Sequence, residues 1–268
     1  DGIRELTVTG VQTCALPISI APPAVFLSDQ APYGTLLVAN RSGEPQEVSI
    51  EFRFGYPVSD SLGRIVMAYG DSLPAAAWSL QPWVRAFPRR FVLEPGADQI
   101  VRILARVPPG LPEGVYWTRI VTASVGRGPV LVAGGGEGVS ARVDVRIEQV
   151  TSLFYRRGQV GTAVTIGAPA VHADSAGVAL LVPLSRGGNA PFLGTIAVSV
   201  VDAGGALVAR TEEILALYVP LVRRVPLPHL PPGRYTAEIT VEARRNDLPR
   251  EELFEIRPVT RRVPFRIP

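Results

Sequence analysis

Val139-Ser-Ala-Arg-Val-Asp-Val-Arg-Ile147, continued by Glu-Gln-Val-Thr-Ser-Leu-Phe-Tyr155, alternates apolar and polar residues. Val139, Ala141, Val143, Val145 and Ile147 share one parity; Ser140, Arg142, Asp144, Arg146 and Glu148 share the other. Successive side chains on a strand point to opposite faces, so the spacing predicts one long β-strand with an apolar and a charged face. A strand of this kind closes an immunoglobulin-like sandwich at its edge, or offers a surface on which another protein's strand is captured.

The rest of the chain has the same character. Its 268 residues suffice for two domains with cores of their own. With 47% apolar and 19% charged residues, it falls in the globular class and outside the disordered one. The 26 Gly and 26 Pro are scattered without a period, as they are where many short strands meet at tight turns. No apolar run approaches the roughly 18 residues of a membrane span. All 27 basic residues are Arg, and five Arg-Arg pairs occur, at 89–90, 156–157, 223–224, 244–245 and 261–262. They read as solvent-face and strand-edge charges. They are not interleaved with aromatics as single-strand nucleic-acid binders require, so no nucleic-acid partner is expected.

Residues 1–18 stand apart. Val8-Thr-Gly-Val-Gln-Thr-Cys-Ala-Leu-Pro-Ile18 is, codon by codon, the translation of a sequencing adapter, and Asp1-Gly-Ile-Arg4 matches the adapter's upstream part. The stretch is set aside as adapter-derived. Cys14, the one cysteine, goes with it, which leaves no disulfide or thiol chemistry.

Two tandem sandwiches are predicted from a repeated corner. Leu111-Pro-Glu-Gly-Val-Tyr116 returns as Leu230-Pro-Pro-Gly-Arg-Tyr235, and each copy opens a strand, Tyr116–Ala123 and Tyr235–Ala243. A Gly-x-Tyr step into a strand fits the tyrosine corner of immunoglobulin-like sandwiches. Further strands are expected at Thr35–Asn40, Glu47–Tyr56, Arg64–Tyr69, Val84–Leu93, Gln99–Val107 and Val139–Tyr155 in the first half. In the second they are expected at Ile196–Val201, Leu207–Thr211, Leu215–Val219, Arg223–Leu227 and Arg261–Ile267. The expected class is all-β, with one immunoglobulin-like domain at 20–157 and another at 160–268.

Nothing in the residues announces catalysis or a cofactor. His172 and His229 have no Cys, Asp or Glu at metal-ligand spacing, so no metal is expected. Gly134-Gly-Gly-Glu-Gly138 leads into a strand and lacks the Lys-Ser/Thr ending of a phosphate-binding loop. Asp98, Glu113, Asp144 and Glu148 read as solvent-face charges. Trp78, Trp83 and Trp117 read as core anchors, with a sugar-binding platform as the weaker option.

From Ala24 to Arg156 the chain resembles the N-terminal domain of the PapD-like periplasmic pilus chaperones. The resemblance rests on Leu36-Leu-Val-Ala-Asn40, Phe91-Val-Leu-Glu-Pro-Gly96 leading to Ile100-Val-Arg-Ile103, Leu111-Pro-Glu-Gly-Val-Tyr116 and Ser152-Leu-Phe-Tyr-Arg156. It implies a non-enzymatic periplasmic chaperone of two immunoglobulin-like domains that holds pilin-like or other secreted subunits, with an outer-membrane usher as a further partner. The last strand of domain one would lend side chains to the subunit's groove, a form of β-augmentation. By alignment the donors are Val143, Val145 and Ile147. The family's cleft also clamps the subunit's C-terminal carboxylate with an Arg on the first strand and a Lys just before Leu-Phe-Tyr. Here those positions fall near Ala24 and at Ser152, and neither is cationic. Pro112-Glu-Gly-Val replaces the family's Asp-Arg-Glu-Ser. The alternative expectation is a tandem immunoglobulin-like surface or adhesion module, in which the apolar side of 139–147 packs into its own core.

Overall fold

The computed structural model describes residues 16–126, 130–132, 140–142, 145–174 and 177–267. The first half contributes thirteen strands: β1 (Ile18–Ala21), β2 (Ala24–Ser28), β3 (Tyr33–Asn40), β4 (Gln46–Arg53), β5 (Gly55–Ser59), β6 (Ile65–Tyr69), β7 (Val84–Phe87), β8 (Arg90–Leu93), β9 (Asp98–Ala105), β10 (Gly114–Gly126), β11 (Val130–Val132), β12 (Ser140–Arg142) and β13 (Val145–Arg157). The second contributes β14 (Thr162–Ile166), β15 (Ala170–Asp174), β16 (Gly177–Gly188), β17 (Phe192–Asp202), β18 (Leu207–Leu217), β19 (Leu221–Pro226), β20 (Gly233–Glu242) and β21 (Val259–Ile267).

In the first sandwich a sheet of order β1-β3-β9-β7 faces one of order β2-β13-β10-β4-β8. Leu36, Val38, Ile50, Val101, Ile103, Ile120 and Leu153 fill the space between them. In the second, β14, β15 and β19 flank β16, opposite a sheet of order β18-β17-β20-β21. Its core holds Leu180, Val182, Phe192, Val198, Leu217, Ile239 and Val241. The all-β, double immunoglobulin-like architecture thus follows from strand alternation closed over two apolar cores.

Both repeated corners form. The Tyr116 hydroxyl donates to the Pro112 carbonyl at 2.9 Å, and the Tyr235 hydroxyl donates to the Pro231 carbonyl at 2.7 Å. In Glu94-Pro-Gly-Ala97, Gly96 sits at φ +75° and the Ala97 N–H donates to the Glu94 carbonyl at 3.0 Å. That is a type II turn, with Pro and Gly where their backbones fit best.

Several expected strands divide. Glu47–Tyr56 breaks at Phe54, and Val84–Leu93 breaks at Pro88-Arg89, where the chain passes from one sheet to the other. Of the expected strand Val139–Tyr155, the described residues lie in β12, which pairs with β11, and in β13, which runs from Val145 to Arg157. Leu207–Thr211 and Leu215–Val219, by contrast, fuse into β18. Strands β14, β15 and β16 had no sequence expectation. Ile18, the last residue of the set-aside segment, is fully buried and pairs with Asn40 on β3.

Between the sandwiches lies a third apolar cluster containing Phe54, Tyr56, Trp117, Phe154 and Tyr218. The β5–β6 hairpin crosses to the second sandwich. There the Val222 N–H donates to Ser59 Oγ at 3.0 Å and the Arg224 N–H to the Gly63 carbonyl at 2.8 Å. Asn189 pins the other side, donating to the Glu113 carbonyl and accepting from the Val115 N–H.

Candidate functional site, an open strand edge beside a cleft

Strand β13 pairs antiparallel with β10 along its whole length, Val145–Arg157. On its other side β2 runs parallel to it only from Ser152 to Arg156. Over residues 145–151 no described strand occupies that side, so a row of ladder groups lies open there. Such an edge is a template for a strand from another chain. A single side-chain bond closes part of the gap, from Gln149 Nε2 to the Ile18 carbonyl at 2.9 Å.

Parity settles what each side chain of β13 faces. Thr151, Leu153 and Tyr155 are buried, and the latter two belong to the sandwich core. Val145 and Ile147 share that parity and carry the apolar face outward past the end of the core. Val145 is 54% exposed and Ile147 is partly buried. The structure therefore brings Val145 and Ile147 together on an open edge; Val143 lies outside the described residues, as do Asp144 and Gly134–Gly138. The opposite parity, Val150, Ser152 and Phe154, faces a cleft between the sandwiches.

The Leu-Phe-Tyr-Arg run is explained residue by residue. Leu153 is fully buried in the core. Phe154 stacks on Phe26, with ring centres 5.1 Å apart. The Tyr155 hydroxyl donates to Asp29 Oδ1 at 2.9 Å; burial and then this carboxylate push its pKa up to about 12. Arg156 reaches the second sandwich, pairing with Glu252 at 3.0 Å and lying over the ring of Phe254.

The cleft holds about 360 Å3. Ala24 and Ser152, the two positions lacking the expected cations, lie directly opposite each other on β2 and β13. A cationic side chain stands on the next strand. Arg119, on β10, is the register partner of Ser152 and donates to its Oγ. Its Nε donates to the Gly55 carbonyl at 3.1 Å, and its guanidinium carbon is 5.0 Å from the ring centre of Tyr218. Arg119 is only 5% exposed, yet no carboxylate pairs with it among the described residues. Two of the five N–H donors of a guanidinium are used. Arg119 lines the cleft and keeps N–H donors beyond these two. The sequence signal was available: Arg119 is the one charge inside the otherwise uncharged run Tyr116–Ala123.

Around the cleft the charges are mutually satisfied. Arg53, beside Arg119 in register, reaches across β10 to Glu148 at 2.8 Å and also pairs with Glu51. The Arg53 hydrogen bond is the chief reason the Glu148 carboxyl is held below its ordinary range. Glu148 is exposed, as its reading as a solvent-face charge expects, and it is ion-paired there with Arg53 and Arg146. Asp247, at the cleft wall, is matched by Arg245 at 2.5 Å.

Trp117 is fully buried, while Trp78 and Trp83 are partly buried against the first core. No group of three or more His, Cys, Asp or Glu side chains suited to a metal occurs among the described residues. Nor is any helix among them long and apolar enough to cross a membrane.

No protein-family model and no curated protein matches this chain. Solved structures similar to it over most of its length include the YadV chaperone, at 11% identity, 92% of this chain, 100% of that chain and TM-score 0.49. The class 5 fimbriae chaperone CfaA aligns at 10% identity over 94% of this chain and 99% of that one, with TM-score 0.48. A chain of the CsuC–CsuE chaperone–tip adhesion subunit pre-assembly complex, from archaic chaperone-usher Csu pili of Acinetobacter baumannii, aligns at 9% identity. It covers 91% of this chain and 97% of that one, with TM-score 0.48.

Proposed function

We propose that this chain is a non-enzymatic, PapD-like assembly chaperone of the periplasm. In this reading it holds pilin-like or other secreted subunits that lack a strand and delivers them to an outer-membrane usher. The carrying observation is the open side of β13 over residues 145–151. A client strand laid there extends the five-stranded sheet by backbone hydrogen bonds, and Val145, Ile147 and Val143 fill alternate pockets of the client. Because Val145 and Ile147 lie on the core-facing parity, the client's core and the chaperone's become one apolar layer. Arg119 replaces the missing cation pair and receives the client's terminal carboxylate in the cleft.

Co-expression with strand-deficient pilin-like subunits tests the proposal. The unaltered chain gives soluble complexes, whereas Val143→Ser, Val145→Ser and Ile147→Ser combined give none while the melting temperature stays within about 5 °C. Complexes that survive the triple change, or none with the unaltered chain, overturn it.

A further inference from the structure

The cleft's apolar walls carry information that strand donation does not use. The β5–β6 hairpin sets Met67 and Tyr69 along one side of the cleft, at 42% and 44% exposure. Ile214 and Leu193 of the second sandwich and Val150 of β13 line the same cleft. Side chains of this size left half-exposed around a concavity indicate an apolar occupant.

The walls are coupled to the cation. The Tyr69 ring lies so close over Gly55 that a Cβ there would come within 2.5 Å of it, so only glycine allows the approach. The carbonyl of the same Gly55 accepts from Arg119 Nε at 3.1 Å. Tyr69 and Arg119 thus both approach one residue, Gly55. Asp247, the acidic side chain lining the cleft, is neutralised by Arg245 and leaves Arg119 uncountered.

From this juxtaposition of an unpaired guanidinium with apolar walls, we infer that the cleft reads the last side chain of the client. It takes a chain ending in a bulky aliphatic or aromatic residue with a free carboxylate. The inference rests on the reading of Arg119 as the seat of a client's terminus and adds to it the identity of the terminal residue. Met67, Tyr69 and Ile214 are then specificity-determining residues, and the β5–β6 hairpin selects the client as well as bracing the second sandwich.

The test titrates the full chain with N-acetylated octapeptides of one sequence, ending in leucine, in alanine, or in leucine amide, and follows binding by calorimetry. The leucine acid binds about tenfold or more tightly than the alanine acid, as expected for apolar area removed from water, and the amide binds weakly. M67A/Y69A brings the leucine and alanine acids within about twofold while keeping the preference for acid over amide. Ile214→Ala, on the other sandwich, narrows the ratio without touching the hairpin. Equal binding of the two acids, with the amide still rejected, overturns the side-chain inference and leaves the anchor standing. Equal binding of acid and amide overturns the anchor, and no binding by any peptide overturns both.

Discussion

Tyr218, from the second sandwich, meets Trp117, from the first, edge to face, with ring centres 5.0 Å apart and planes inclined at 61°. Tyr218 also stacks on Tyr56 at 6.1 Å and on Phe154 at 6.3 Å. Edge-on and offset contacts of this kind add to what area burial gives. The ring is therefore the central fastener between the two halves.

Tyr218→Ala removes a fully buried ring at this joint and is expected to cost about 3–5 kcal/mol. It also leaves each sandwich with its own intact core. Differential scanning calorimetry of the variant should show the single transition of the parent widening or splitting into two. Tyr218→Phe keeps the stacking and is expected to stay within about 1 kcal/mol of the parent.

Arg119→Met is expected to leave the fold as stable as the parent, or to raise its stability by up to about 2 kcal/mol. It replaces a buried, uncompensated charge with an apolar chain of similar length. The same variant should lose the preference for free-acid over amidated peptides. A strongly destabilised Arg119→Met would show that the guanidinium serves the fold through Gly55 and Ser152 and not an anion.

The two tyrosine corners are chemically equivalent and belong to separate cores. Tyr116→Phe and Tyr235→Phe each delete one hydroxyl-to-carbonyl bond and should each cost about 1 kcal/mol. The double variant should show the sum, because the sites share no partners. Denaturant midpoints at constant slope provide the measurement.

Alkaline pH gives a further check. The Tyr155 hydroxyl ionises near 10 when unperturbed and at about 12 in the fold, raised first by burial and then by its bond to Asp29. A group whose folded pKa is raised contributes stability that is complete below pH 10 and is lost as pH climbs to about 12. The contribution is on the order of 2 kcal/mol. Tyr155→Phe should flatten this fall between about pH 9 and about pH 12, measured against the parent. Tyr116, also raised by burial, adds a loss of the same sign to both proteins.

What could be read in advance was local. The tyrosine corners were legible because a turn residue and an aromatic lie within five positions of each other. The alternation at Val145 and Ile147 was legible because strand parity needs no partner. Arg119 is marked locally as a lone charge in an uncharged strand, but what it touches comes from Ser152, 33 residues away, and from Tyr218 of the other sandwich. The Arg64–Tyr69 strand was visible as a strand, but not as half of a hairpin leaving its own sandwich, because pairing depends on what the neighbouring turn allows. Strand β16 is poorly marked in the sequence because Pro183 interrupts its apolar run, while its partner β19 lies on a distant stretch of chain.

The crossing of the β5–β6 hairpin separates the boundary in the chain from the boundary in space. A cut after Gly158 would divide the sequence into tidy halves, but it would strip Ser59 and Gly63 from Val222 and Arg224, and Tyr56 from Tyr218. The first half would keep its core and acquire a bare, sticky arm. The smallest piece of this protein fit for handling is therefore both sandwiches together, and evolution of one half is constrained by the surface of the other.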